Sequence, residues 1–210
     1  ALKEKVDLVH GAITSASREV IRPILRKYKT LLWYSVIYEG GVCDINNFVS
    51  GVGAVQWVKP IAEFGFAKRG PKAFYIGADY NAPQIIGAWL EKFSGDLGGT
   101  VLQRDHFPLD VTEFGPAIAK IQEAKPDWLA TCLVGAAHLG FYRQWAAAGM
   151  LNKIPIVSCT FGIGNEHMQL TPEEANGIVS GQPYYQELEL PANKAFVKRY
   201  YKRFGSDAPY

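Results

Sequence analysis

Charge of one sign, paired cysteines and long apolar runs are all missing from this chain of 210 residues. Its 22 basic residues meet 20 acidic ones, for a formal net charge of +2. Like charges never gather into a block, which removes the electrostatic footprint of a nucleic-acid partner. The longest basic cluster, Lys198 to Arg203, is interleaved with Tyr200 and Tyr201 and followed by Phe204, and reads as the solvated face of an amphipathic helix. Cys43, Cys132 and Cys159 lie far apart, with no C-x-x-C or metal-ligand spacing. Cys132 and Cys159 fall in apolar, strand-like runs and read as small core residues. No apolar run is long enough for a transmembrane helix, so direct insertion into a membrane is not expected.

Catalytic signatures are missing too. The chain contains no H-E-x-x-H, no G-x-x-x-x-G-K-[ST] and no G-x-S-x-G. Gly51-Val52-Gly53 and Gly162-Ile163-Gly164 fall short of a dinucleotide fingerprint and read as turns, and no cofactor is expected. His10, His106, His138 and His167 show no metal spacing, and His10 with Ser15 lacks an acidic residue placed to complete a triad. Structural or surface roles fit these histidines best.

What is present is alternation. Strands are predicted at Val6–Ala12, Leu31–Ile37, Asn47–Gly51, Lys72–Gly77, Thr100–Pro108, Trp128–Val134 and Ile154–Cys159. Between and after them come helices at Ser17–Tyr28, Val55–Ala67, Pro83–Phe93, Phe114–Glu123, Leu139–Ala148 and Pro191–Phe204. Pro23 should kink the first helix or push its start later. Thr171-Pro172-Glu173-Glu174 has the grammar of a helix start. Strands alternating with helices of this length give βαβ units and parallel sheets, and the wholly apolar Trp128–Val134 suits a sheet covered on both faces. The fold class is α/β, doubly wound. Boundaries are expected near Asn46–Gly53 and Ile178–Tyr184.

In such sheets ligands bind beyond the carboxyl ends of the strands, where helix N-termini offer free N–H donors. Thr14, Ser15 and Ser17 follow the first strand, Tyr34 and Ser35 close the second, and Asp79 and Tyr80 follow the fourth. Hydroxyls and aromatic faces of this kind suit a small polar or amphipathic ligand without a nucleophile. Taken singly, Thr14 and Ser17 could serve only as helix caps and Tyr80 only as packing.

Gly11-Ala12-Ile13-Thr14-Ser15-Ala16-Ser17-Arg18, Leu31-Leu32-Trp33-Tyr34-Ser35-Val36-Ile37-Tyr38-Glu39-Gly40 and Ile76-Gly77-Ala78-Asp79-Tyr80 resemble the short-chain amide and urea branch of the type I periplasmic binding proteins. Ala124-Lys125-Pro126-Asp127 and Asn193-Lys194-Ala195-Phe196-Val197 are similar to the wider branched-chain amino-acid receptor family. The resemblance implies two Rossmann-like lobes joined by a hinge of crossing strands. Residues 1–52 and 181–210 would form a partial lobe one and residues 53–180 lobe two, with relatives longer at both ends. It implies a ligand site from Thr14, Ser15, Ser17, Tyr34 and Val36 on one side and Tyr80, Leu133, Val134 and Phe161 on the other.

Ile13, Val36 and Ala82 stand where amide-binding relatives carry larger or more polar groups. Phe161 stands where amino-acid receptors carry a glutamate that pairs with the ligand's ammonium, with Asp79 and Glu166 the nearby carboxylates that could take its place. A neutral amide or simple organic acid is therefore expected over a zwitterion. The resemblance further implies a periplasmic location with a signal peptide upstream, an ABC transporter permease as partner, and no catalysis. The rival readings are a cytoplasmic amide-sensing regulator and a branched-chain amino-acid receptor of the same fold.

Overall fold

A computed structural model describes residues 3–205. The chain builds two parallel sheets, one small and one large. The small sheet holds β1 (Leu8–His10), β2 (Leu31–Tyr34) and β3 (Asn47–Val49) in that order. Helix α1 (Ser15–Lys27) connects β1 to β2. It begins at Ser15, ahead of the predicted start, and keeps Pro23 inside. The reason is its cap: Thr14 Oγ1 accepts the Ser17 N–H at 3.1 Å, which fixes the first turn upstream of the proline.

After β3 come α2 (Ala54–Lys68), β4 (Lys72–Ala78), α3 (Asn81–Asp96), β5 (Thr100–Phe107), α4 (Gly115–Ala124), β6 (Trp128–Cys132), α5 (Ala136–Ala147) and β7 (Ile156–Ser158). A short helix α6 (Pro172–Ala175), the two-residue strand β8 (Val179–Ser180) and α7 (Pro191–Phe204) follow. The large sheet runs β5-β4-β6-β7-β8, parallel throughout. Every residue of β6 is buried because both faces are covered. On one face α2 and α3 pack Trp57, Ile61, Ile86 and Leu90 against Tyr75 and Trp128. On the other, α4 and α5 pack Ile118, Ile121, Phe141 and Trp145 against Phe74 and Leu129. Cys132 and Cys159 lie in the first of these cores, as small apolar residues would.

Several elements differ from expectation. β2 ends at Tyr34, because Ser35 to Glu39 leave the small sheet and Tyr38 bridges to Gly53 beside the large one. The helix signalled by Thr171 has its capping box but runs only four residues, since Asn176 leaves the helix at ψ 133° and Gly177 follows at φ +88°. Neither β8 nor the single 3-10 turn at Glu166–Met168 was predicted. Among the described residues no helix is long and apolar enough to cross a membrane.

Candidate functional site

The large sheet has one place where neighbouring strands send their connections opposite ways. β4 leads through α3 to β5 on one side, and its other neighbour, β6, is entered from α4. Such a switch point opens a crevice at the strands' carboxyl ends. Tyr80 stands at the end of β4, Leu133 and Val134 at the end of β6, and Phe161 just beyond β7. Leu133 turns its side chain into the core, leaving its backbone for the crevice. Tyr80 is half-buried as the N-terminal flank of α3. Burial, followed by the nearby Cys132 and Tyr34, pushes its phenol well above the ordinary value, so it remains a hydrogen-bond donor at neutral pH.

The small sheet's carboxyl end supplies the other half. Thr14 and Ser17 hold the first turn of α1, with Ser17 Oγ donating to Thr14 O at 2.8 Å. Ser15 is buried, and Tyr34, also buried, donates its hydroxyl to Ile13 O at 3.2 Å. Behind them lies Arg18, 1% exposed and bonded by its two terminal nitrogens to the equally buried Glu39 at 2.5 and 3.3 Å. The Arg18 guanidinium sits over the Tyr34 and Tyr38 rings at 4.9 and 5.2 Å. Trp89 Nε1 of α3 donates to Glu39 O at 2.9 Å, tying this cluster to the large sheet's layer.

Between the two sheet ends lies a cavity of about 700 Å³, within the range of small-molecule sites. Ser35, Val36 and Ile37 line it from the small-sheet side. Phe161, Gly162 and Ile163 line it from the loop after β7, and Ser180, Gln182, Tyr184 and Tyr185 from the segment after β8. Of the sequence-predicted residues, Ser35, Val36 and Phe161 reach this wall. Thr14, Ser15, Ser17, Tyr34, Tyr80, Leu133 and Val134 lie at or after the carboxyl ends of β1, β2, β4 and β6 and do not line it. Gln182, Tyr184 and Tyr185 escaped the sequence reading. Their signal was an aromatic pair directly after a Gly-Gln-Pro break, at the boundary expected near Ile178–Tyr184.

Among the described residues no lysine or arginine lines the cavity, and its ionisable lining side chains besides the tyrosines are Glu187 and His167. Glu166 is spent elsewhere: its Oε2 accepts the N–H groups of Gly162 and Gly164 at 2.8 and 3.1 Å, and its Oε1 lies 3.4 Å from His138 Nδ1. Burial alone would raise its pKa, but the His138 and backbone bonds prevail and hold it at about 2. Asp79 accepts from Gln84 Nε2 at 2.8 Å. Among the described residues no three His, Cys, Asp or Glu side chains converge as a metal centre requires.

Solved structures place this geometry. A solute-binding protein of an ABC transporter from R. palustris, in complex with 4-hydroxybenzoate, superposes with a TM-score of 0.80 at 21% identity. A leucine-, isoleucine-, valine-, threonine- and alanine-binding protein from Brucella ovis, in its closed conformation, gives 0.82 at 21%. The matches cover 99% and 96% of this chain but only 57% and 55% of those proteins. The architecture is the type I periplasmic binding fold, of which this chain spans rather more than half. The profile of the periplasmic binding protein domain matches residues 1–210, and the chain belongs to that family.

Proposed function

We propose that this chain is part of the extracytoplasmic solute-binding component of an ABC importer, which captures a small neutral amide or related organic molecule between two lobes. Residues 1–52 and 181–210 belong to one lobe and residues 53–180 to the other. The ligand shifts the open and closed populations toward closure, and a permease reads the closed form. The observation that carries this reading is the cavity itself, walled from both sheet ends by mostly apolar and uncharged polar side chains.

The ligand's chemistry follows from the wall. A zwitterion would bring an ammonium and a carboxylate, and leaving either buried without a partner costs several kcal/mol. Among the described residues the lining holds one carboxylate, Glu187, and no lysine or arginine, with His167 its one basic side chain. Ser35, Ser180 and Gln186 offer uncharged polar groups, while Phe161, Ile163, Tyr184 and Tyr185 offer apolar and aromatic surface. Urea is too small to use this surface. With four non-hydrogen atoms its binding is bounded near about −6 kcal/mol even at the highest ligand efficiency. An amide with an apolar or aromatic body fits better.

A thermal-shift panel on the full-length protein tests this, using urea, acetamide, benzamide, benzoate and leucine. Benzamide should stabilise most; at 100 times its dissociation constant the gain is about 2.7 kcal/mol. Leucine alone shifting the transition would instead establish an amino-acid receptor.

A further inference from the structure

The cavity wall after β7 is a loop, so its shape must be held by something other than a sheet or helix ladder. Ser158 Oγ accepts the N–H groups of Thr160 and Phe161 at 3.2 and 2.9 Å. Ser180 Oγ and Gln182 Nε2 donate to Phe161 O at 2.6 and 3.2 Å. The next turn rests on Glu166, whose carboxylate folds back beneath it to collect the Gly162 and Gly164 N–H groups. Gly162 at φ +98° and Asn165 at φ +58° give the turn the concave form that gathers successive N–H groups around an anion. Gly164 leaves room for it, since a Cβ built there overlaps the Glu166 carboxylate.

The carboxylate is oriented from behind. His138 on α5 meets it through Nδ1 and meets the Tyr142 hydroxyl through Nε2 at 2.7 Å. With Nδ1–H given to Glu166, Nε2 is left to accept the tyrosine proton. Tyr142 OH also lies 3.0 Å from Thr131 Oγ1 and 3.3 Å from Ser158 Oγ, which returns the network to Phe161. The Phe161 ring stands edge-on to Tyr142 at 5.2 Å and near His138 at 6.4 Å. His138, Tyr142, Thr131, Ser158 and Glu166 are all buried. Five polar side chains buried in an otherwise apolar lobe are costly unless mutually satisfied, and here they are.

We propose that Glu166 is a positioning residue of the ligand cleft: oriented by His138, its carboxylate fixes the Phe161–Gly164 turn, so that Phe161 and Ile163 stand in place before ligand arrives. This deepens the ligand-cleft reading and rests on it for its purpose, though not for its geometry. It also keeps the carboxylate of this loop out of the cavity, because Glu166 turns back to the Gly162 and Gly164 N–H groups and does not line the wall. A wall already ordered spares the ligand the cost of ordering it, so loosening it weakens binding without removing any ligand contact.

Hydrogen exchange on the full-length protein, as wild type, E166Q and G164A, tests the proposal, with benzamide titrated into each. E166Q keeps the side chain's shape and removes its charge; G164A displaces the carboxylate from the other side. Both should speed amide exchange at residues 160–165 at least tenfold while leaving β4 and β6 unchanged, and should weaken benzamide about tenfold. Unaltered exchange at residues 160–165, or a rise spread evenly over the large sheet, would overturn it, the latter because a merely structural role acts on the whole lobe. Failure of benzamide to bind wild type would count against the amide reading alone, since the exchange pattern still decides the role of Glu166.

Discussion

Arg18 and Glu39 hold opposite charges in a place that water barely reaches. Burial works against the Arg18 charge, yet the Glu39 and Glu19 hydrogen bonds outweigh it and raise the guanidinium's pKa. Removing one partner leaves the other charge stranded. E39Q should therefore cost about 3–5 kcal/mol in a urea melt, and R18M/E39Q clearly less. Equal losses in the two would show that the pair's charge is not what matters. Glu166 makes a pH prediction. Its carboxyl falls from an ordinary 4.5 to about 2 on folding, so the unfolded chain takes up the proton first as pH drops. Its stabilisation is complete above about pH 4.5 and is lost as pH falls toward 2. E166Q should flatten the dependence of unfolding free energy on pH across that window, measured by urea melts at stepped pH. Neither pair was legible in the sequence. Arg18 and Glu39 are 21 positions apart and carry no motif, and the backbone N–H groups that occupy Glu166 leave no mark in the sequence.

At the scale of elements the sequence was far more informative, because periodicity and burial are local properties. The run Trp128–Val134, apolar but for Thr131, identified a strand covered on both faces, and α2 and α3 supply one of those covers. Close approach is written in glycine. Gly65 of α2 lies against the Trp128 ring, where an added Cβ would overlap it. G65A should cost about 1–3 kcal/mol by overpacking. G95A, on α3 with nothing near its missing Cβ, should be neutral or slightly stabilising. Chemical denaturation of the two variants checks the contrast. Element lengths were harder to read. The capping box at Thr171 sets a start, but the stop comes where Asn176 turns extended ahead of Gly177, and two-residue β8 has no period to detect. For the same reason the Tyr184–Tyr185 wall went unseen: nothing local says that a segment after β8 folds back beside Val36.

For the whole molecule, the doubly wound plan and the location of a site at the strand ends were both legible, since they follow from element order. Which side chains reach the cavity was not, because that depends on how two sheets meet. The small sheet leaves one face open, with Leu8, Trp33 and Phe48 exposed and the last two rings stacked at 5.8 Å. Open apolar surface of this sort drives association. Residues 1–210 produced alone should self-associate in light scattering at concentrations where W33S/F48S remains monomeric. A monomeric parent would show that this face is stable in water as it stands.

The central claim is that a neutral ligand is held between the two sheet ends, touching Val36 on one side and Phe161 on the other. Calorimetric titration of benzamide into the full-length protein and into V36D and F161D tests it most directly. The account predicts measurable binding to wild type and a loss of about 100-fold or more in each variant, at a temperature where circular dichroism shows all three folded. Binding that survives both substitutions would contradict it.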